Sequence, residues 1–156
     1  MPSHPLRPRP VDLFEANTPG IWLLTDTRTE VRRDVVGLFN WDDKKELTVD
    51  RPLDNIGLDG RKEYVAYEYW TDKMSGPFNG RLQQTLAPAT CANLSLKPLA
   101  DHPQLLGTSR HITQGIIDVV EEKWEAGPKQ LTGTSKLIAG DDYELRVVTT
   151  TTNGCL

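Results

Sequence analysis

Histidines and cysteines, which often bind metals or act as nucleophiles, are few in this sequence. Its three histidines, His4, His102 and His111, are scattered along the chain. No Cys-x-x-Cys or His-Glu-x-x-His spacing brings metal ligands together. We therefore expect no metal site built from these side chains.

Carboxylates occur as adjacent pairs, at Asp42-Asp43, Glu121-Glu122 and Asp141-Asp142. Neighbouring residues on a strand point to opposite faces, so such a pair converges on one substrate only where a loop bends the chain. Turns are the simpler interpretation of these pairs. A calcium site in one of the loops is the alternative, because calcium prefers oxygen ligands.

Ser109 precedes His111 by two residues, which places a nucleophile close to a base in the sequence. However, the chain lacks a Gly-x-Ser-x-Gly elbow, and no glycine-rich loop leads into a helix as nucleotide cofactors require. We interpret Ser109 and His111 as hydrogen-bonding loop residues. We therefore expect no catalytic residue in this chain and no cofactor.

Four aromatic side chains are candidates for stacking on a sugar ring or for contact with another domain: Trp41, Tyr67, Tyr69 and Trp70. Aromatic rings stack on sugars, but they also fill cores and interfaces between domains. Trp41 and Trp70 lie at predicted strand ends beside turns, so we expect one of them to be exposed. Trp22 is expected in the core.

The bulk properties limit the classes of partner. The 156 residues carry a net charge of −4 with a pI near 5.4, which fits one globular domain without a basic stripe for phosphates. No apolar run approaches the ~18 residues of a membrane span. We expect neither nucleic acid nor a membrane as partner, whereas a neutral sugar is compatible with this charge.

Two cysteines are too few for a disulfide framework. Cys91 falls in an apolar strand pattern, so we expect it to be buried. Cys155 lies next to the C-terminus, and whether the two cysteines pair stays open. The compartment of the protein therefore stays open too.

Short β-type segments between turn signals dominate the chain. Val35–Phe39 is apolar on both faces, which predicts a central strand. Ser75–Pro77 and Asn79-Gly80 are predicted turns. The strands are predicted in these segments: Ile21–Thr25, Val31–Trp41, Glu46–Asp50, Tyr64–Trp70, Arg81–Leu86, Ala92–Lys97 and Tyr143–Val147. The pattern predicts an all-β fold, an antiparallel β-sandwich of about eight to ten short strands.

The segment 115–125 fits two structures. Its apolar residues form a stripe with helical spacing, while the β-branched run Ile116-Ile117 and Val119-Val120 fits a strand. Gly127-Pro128 and Gly133 bound short segments after it and favour the strand. We expect a proline-rich linker over residues 1–18, the sandwich over 19–149 and a loose tail over 150–156, and such a linker suggests a preceding domain.

Four stretches of the chain resemble segments of known proteins: Arg9–Phe14, Asp34–Asp42, Tyr67–Lys73 and His102–Gly115. The proteins are α-galactosidase-like (melibiase-type) glycoside hydrolases. Asp34–Asp42 resembles the strand that follows the catalytic barrel in these enzymes, and Tyr67–Lys73 resembles the next strand and turn. His102–Gly115 resembles a segment of the C-terminal domain in bacterial members, and Arg9–Phe14 looks like the exit from the barrel. The resemblance extends over most of Arg9–Val148.

The resemblance implies that this chain is the C-terminal β-sandwich of such an enzyme. The family's catalytic aspartates lie on a (β/α)8 barrel that this sequence does not contain, so no catalytic residue carries over. The implied role is a non-catalytic accessory domain whose partner is the N-terminal barrel of the same parent chain. The alternatives are a carbohydrate-binding module that uses exposed aromatics and a free-standing enzyme. The segment from Gln104 onward is longer than the simplest family sandwiches, so we expect extra strands or a small lobe there.

Overall fold

The computed structural model describes residues 6–28, 32–110 and 113–149. Within these ranges the chain forms strands and one short 3-10 helix, Asp54–Ile56, so the predicted all-β fold is confirmed. The strands are β1 Arg9–Pro10, β2 Ile21–Asp26, β3 Arg33–Phe39, β4 Leu47–Pro52, β5 Tyr64–Glu68, β6 Lys73–Phe78, β7 Arg81–Leu86, β8 Cys91–Pro98, β9 Gln104–Thr108, β10 Val119–Glu125, β11 Gln130–Ser135 and β12 Leu145–Val148.

The described strands number twelve, which exceeds the eight to ten expected from the sequence. One reason is that β1 has only two residues, Arg9 and Pro10, and pairs with Leu23 and Trp22 of β2. A strand that short has no detectable alternation. The sheet therefore begins inside the segment predicted as a linker. The predicted tail, 150–156, lies outside the described residues.

A six-stranded antiparallel sheet with the order β1-β2-β3-β8-β5-β6 is the centre of the fold. As predicted, the apolar run Val35–Phe39 belongs to an interior strand, because β3 pairs with both β2 and β8. Val36 and Leu38 are fully buried on one face of the sheet. A strand with neighbours on both edges has its backbone groups satisfied, so apolar side chains on both faces suit it.

One face of the six-stranded sheet packs on the β4–β7 pair, and the main core lies between them. Leu23, Val36 and Leu96 from the sheet meet Leu82 and Leu86 from β7 in one buried cluster. Each such side chain contributes roughly 1.5–3 kcal/mol when it is fully buried. This layer of two packed sheets is the predicted sandwich.

The opposite face of the sheet is covered over only part of its width. Val65 and Tyr67 of β5 pack there against Leu106 of β9 and Val148 of β12 in a second buried cluster. The β9–β12 pair and the β10–β11 hairpin supply this cover, which matches the extra strands expected after Gln104. Beyond this cover the sheet presents an open face near β2 and β3.

The segment 115–125 is a turn followed by a strand. Residues 113–118 are turns, and β10 begins at Val119 and pairs with β11. The strand prediction is therefore confirmed for Val119–Glu125. In this strand Val119, a β-branched residue that suits a pleated sheet, pairs with Ser135 across the hairpin.

The predicted turn at Ser75–Pro77 is wrong, because these residues lie within β6. Strand β6 is at an edge of the sheet, where a proline removes no ladder hydrogen bond on its solvent side. The pairing of β5 with β6 shifts register between Tyr64 and Ala66. The predicted turn at Asn79-Gly80 is confirmed between β6 and β7, with Gly80 at φ 69°.

Candidate functional site

The open face of the six-stranded sheet forms an apolar groove of about 480 Å³. Its main lining side chains come from the ends and middle of β2, β3 and β8 and from the segment after β5: Trp22, Leu24, Phe39, Trp41, Trp70 and Cys91. We call this surface the open-face groove. Concave, mostly apolar surfaces of this size are the usual form of ligand and docking sites.

Strand alternation builds the open-face groove. On β2, Ile21 and Leu23 belong to the core, so Trp22 and Leu24 point to the other face. On β3, Gly37 lies in the groove with no side chain to fill it. A Cβ at Gly37 would lie 3.2 Å from the Phe39 ring. The glycine therefore keeps the groove deep next to Phe39.

The position of Trp41 is fixed by neighbouring groups. Its ring stacks on Phe39 with a centroid distance of 5.1 Å and an angle of 5° between the planes. Its Nε1 donates to the Pro19 carbonyl oxygen at 3.0 Å, and the Nε1 of Trp22 donates to the same oxygen at 3.4 Å. Trp41 is still 59% exposed, so one indole face is covered by Phe39 while much of the ring contacts solvent.

Asn40, next to Trp41, anchors this corner. It is 3% exposed, and its Nδ2 donates to the carbonyl oxygens of Lys45, Leu86 and Ala87 at 2.8–3.2 Å. Its Oδ1 accepts from the backbone N–H of Asp42. A buried side chain that hydrogen-bonds this many backbone groups holds the end of β3, and with it Trp41, in place.

Glu68 organises the turn that carries Trp70. Its carboxylate accepts from the backbone N–H groups of Trp70, Thr71 and Asn93 and from the Thr71 hydroxyl, at 2.6–3.2 Å. Burial alone would raise the pKa of Glu68, but these hydrogen bonds outweigh it and lower the pKa. Trp70 packs edge-on against Tyr69 and is 57% exposed.

The four aromatic residues singled out from the sequence do not form one site. Trp41 and Trp70 both line the open-face groove. Tyr67 is 2% exposed and packs in the second cluster beneath β9 and β12, with its hydroxyl donating to Asp72 Oδ1 at 2.9 Å. Tyr69 is half-buried, and its hydroxyl donates to the Ser109 carbonyl oxygen. The face of Tyr67 is thus covered by this domain itself, so it offers no surface to a sugar.

Two residues of the groove were expected elsewhere. Cys91 is exposed and not buried, and Trp22 is partly exposed and lines the groove instead of the core. Both errors have one cause: an apolar strand pattern predicts burial on both faces, but here only one face is covered. The doubly apolar run of β3 was the available signal that a second apolar surface exists.

The carboxylates considered for chemistry have structural partners. Asp42 Oδ1 accepts from the backbone N–H groups of Lys44 and Lys45, as the turn interpretation predicts. Asp141 pairs with Arg110 at 2.6 Å, and Glu122 is buried between Arg33 and Lys97. In the described ranges no three His, Cys, Asp or Glu side chains group to hold a metal ion.

The serine–histidine hypothesis is tested only in part, since His111 lies outside the described residues. Ser109 Oγ accepts from the backbone N–H of Glu144 at 3.1 Å, as expected for a loop hydrogen bond.

The part of the chain described by the structure contains no helix long and apolar enough to span a bilayer.

No family model and no curated protein sequence matches this chain. Among solved structures it is similar to α-galactosidase I from Mortierella vinacea, with 16% identity over 52% of this chain and 21% of the enzyme and a TM-score of 0.42. It is also similar to a GH27 β-L-arabinopyranosidase from Geobacillus stearothermophilus, with 20% identity over 60% of this chain and 20% of the enzyme and a TM-score of 0.48. Both are glycoside hydrolases, as are the enzymes that the sequence motifs resemble, and at these identities the likeness concerns the fold. The matched part spans about a fifth of each enzyme.

Proposed function

We propose that this chain is a non-catalytic accessory β-sandwich of a glycoside hydrolase, and that its open-face groove packs on a catalytic barrel in the same parent protein. The sequence stretches that resemble such enzymes support the class of parent. The observation that carries the docking role is the groove itself, an apolar surface on interior strands of the sheet.

An interior sheet face is normally covered by a second layer. Here β9 and β12 cover the β5 side, while Trp22, Leu24 and Phe39 remain only partly buried. Soluble monomers rarely expose large contiguous apolar patches, and those that do usually use them to bind a partner. The exposed rings of Trp41 and Trp70 suit such an interface, since aromatic residues are enriched at interface centres.

The groove favours docking over hydrolysis. Glycoside hydrolases use two carboxyl groups that flank the scissile bond, one of which has a raised pKa. The described residues that line the groove include no carboxylate. Glu68, which anchors the turn that carries Trp70, has a lowered pKa and accepts several hydrogen bonds, so it is poorly suited to donating a proton.

The first test is the coding sequence immediately upstream of Met1. An in-frame (β/α)8 barrel with a pair of catalytic aspartates is the expected result. The second test uses Cys91, which lines the groove and is exposed. With Cys155→Ser in both proteins, a maleimide should label Cys91 quickly in this chain alone and slowly in the full-length parent, as quantified by peptide mass spectrometry.

Each ~1.4 kcal/mol of docking free energy slows Cys91 labelling tenfold if labelling requires undocking. The matched control is Thr48→Cys, because Thr48 is exposed on β4, in the layer across the core from the groove. It should label at the same rate in both proteins. Equal Cys91 rates in the isolated chain and the parent, or an upstream frame without a barrel, would contradict the proposal.

A carbohydrate-binding module is the second candidate, because two indoles more than half exposed line one groove. A sugar ring would stack on the uncovered face of Trp41 or on the ring of Trp70. Calorimetric titration with galactosides would then show binding that Trp70→Ala abolishes. If no glycan in a panel gives binding heat, and Cys91 is labelled slowly in the full-length parent, only the docking role remains supported.

A further inference from the structure

A second cavity, of about 540 Å³, lies where the β8–β9 connection meets the β10–β11 hairpin. Its lining is mostly cationic and aromatic, unlike that of the open-face groove: Arg32, Lys62, Lys97, His102, Lys123 and Trp124. Glu122 is its one carboxylate among the described residues. We call it the basic cavity. Its volume falls in the range of small-molecule sites, roughly 300–1,000 Å³.

Buried charge beside the basic cavity has a net positive sign. Glu122 binds Lys97 at 2.7 Å and Arg33 at 2.9 Å, and the three side chains are 2–7% exposed. Two cations therefore share one carboxylate, which leaves one formal positive charge. Buried charges are screened less by salt than surface charges, so their field reaches into the adjacent cavity.

The exposed cations at this cavity add to that field to different extents. Arg32 is paired with Asp34 at 2.8 Å, and Lys123 with Glu125 at 3.0 Å, so each is partly compensated. Lys62 is exposed and forms no ion pair with any residue in the described ranges. Its longer-range attraction to Asp59, which is itself paired with Arg61, leaves the ammonium group on its flexible stem able to reach an anion in the cavity.

His102 and Trp124 form a flat wall. Their rings stack with a centroid distance of 5.1 Å and an angle of 4° between the planes. His102 Nδ1 lies 2.9 Å from the Pro103 carbonyl oxygen, and since a carbonyl only accepts, Nδ1 is the donor. This bond fixes the imidazole against the indole and gives the cavity a rigid aromatic side.

We propose that the basic cavity binds a carboxylate-bearing sugar about the size of one hexuronate. The carboxylate is held by Lys62 and Lys123 above the buried Arg33–Glu122–Lys97 cluster, and the ring lies along the wall of His102 and Trp124. The positive charge and the volume select a small anion. The choice of a sugar as its scaffold rests on the proposed function.

The test is a titration of the ¹⁵N-labelled chain followed by NMR. Galacturonate should shift the Trp124 indole N–H and the Leu105 backbone amide, whose N–H donates to Glu122. Galactose, which has the same ring without the charge, should leave both signals in place. Affinity for galacturonate should fall as salt is raised.

The double variant Lys62→Gln/Lys123→Gln should weaken galacturonate binding by roughly 2- to 30-fold, since each exposed ionic contact contributes about 0.2–1 kcal/mol and each ~1.4 kcal/mol is a tenfold change in affinity. Both side chains are exposed, so the fold should be kept. The matched control is Lys44→Gln/Lys45→Gln, which removes the same charge from an exposed turn outside the cavity. It should leave the affinity unchanged.

Trp70→Ala separates this proposal from the proposed function, because Trp70 lines the groove and not the basic cavity. It should not alter galacturonate binding. Equal binding of galactose, equal binding of acetate, or no shift with galacturonate would overturn the proposal. The proposal would also be overturned if Trp70→Ala abolished galacturonate binding while the double lysine variant retained it. None of these results depends on whether a barrel precedes the chain.

Discussion

Glu122→Gln probes the buried cluster that ties the β10–β11 hairpin to the rest of the domain. Glu122 accepts hydrogen bonds from Arg33, from Lys97 and from the backbone N–H of Leu105. Glutamine has nearly the same shape but no charge. Its amide group adds a donor where the neighbouring groups, Arg33 and Lys97, are donors themselves.

The expected loss of stability follows from burial. Lys97 is 2% exposed and Arg33 is 7% exposed. The substitution therefore leaves Lys97 without a paired carboxylate and Arg33 with only the longer-range attraction of Asp26, which is itself paired with Arg28. Removing one partner of a buried ion pair costs roughly 3–5 kcal/mol. A domain of this size has about 5–15 kcal/mol of stability in total, and each kcal/mol shifts Tm by about 2–4 °C. We therefore expect Tm to fall by roughly 6–20 °C.

Urea denaturation followed by tryptophan fluorescence and by circular dichroism measures this loss. Glu125→Gln is the matched control, because Glu125 pairs with Lys123 at the surface and such pairs contribute about 0–1 kcal/mol. Adding Lys97→Met to Glu122→Gln should recover part of the loss, since it removes one uncompensated cation. A loss below about 1 kcal/mol for Glu122→Gln, or one no larger than that of Glu125→Gln, would refute the reasoning.

Two further predictions concern the residues around the groove. The pKa of Glu68 is lowered from its ordinary value of 4.5, so its contribution to stability is complete above that pH and is lost as pH falls through the folded-state pKa. The urea concentration at the unfolding midpoint should therefore decrease as pH falls below about 4.5, and it should decrease less steeply in Glu68→Gln. The same pH dependence in both proteins would contradict this. Asn40→Ala should cost about 1–3 kcal/mol, because it leaves buried acceptors such as the Leu86 carbonyl oxygen unpaired. Asn79→Ala, at an exposed position in the turn between β6 and β7, is the control. Equal urea midpoints for the two variants would count against the role of Asn40.

Much of the sandwich could be predicted because it depends on local pattern. Alternation in Ala92–Lys97 and Arg81–Leu86 sets which side chains enter the core, and both segments are strands as expected. Sequence patterns gave the wrong secondary structure where the conformation of a segment depends on its neighbours in the sheet. Ser75–Pro77 has the composition of a turn, yet it is strand because β6 lies at an edge.

The candidate sites depended more strongly on tertiary structure. Trp41 and Trp70 were singled out by residue type, but only the arrangement of β2, β3 and β8 brings both into one groove and leaves Tyr67 covered. The basic cavity could not be predicted, because Glu122 meets Lys97 across 25 residues and Arg33 across 89. Contacts at such separations have no signature in a local window.

The sequence by itself thus determined the all-β class, the central position of β3 and the scarcity of metal-binding side chains, since each follows from residue type and short-range spacing. Only the tertiary structure decided which apolar face is covered. The strands β9 and β12 bury Tyr67 and stop short of Trp22 and Cys91, because the β9–β12 pair is too narrow to cover a six-stranded sheet. The width of the covering layer, which no single segment encodes, creates the groove.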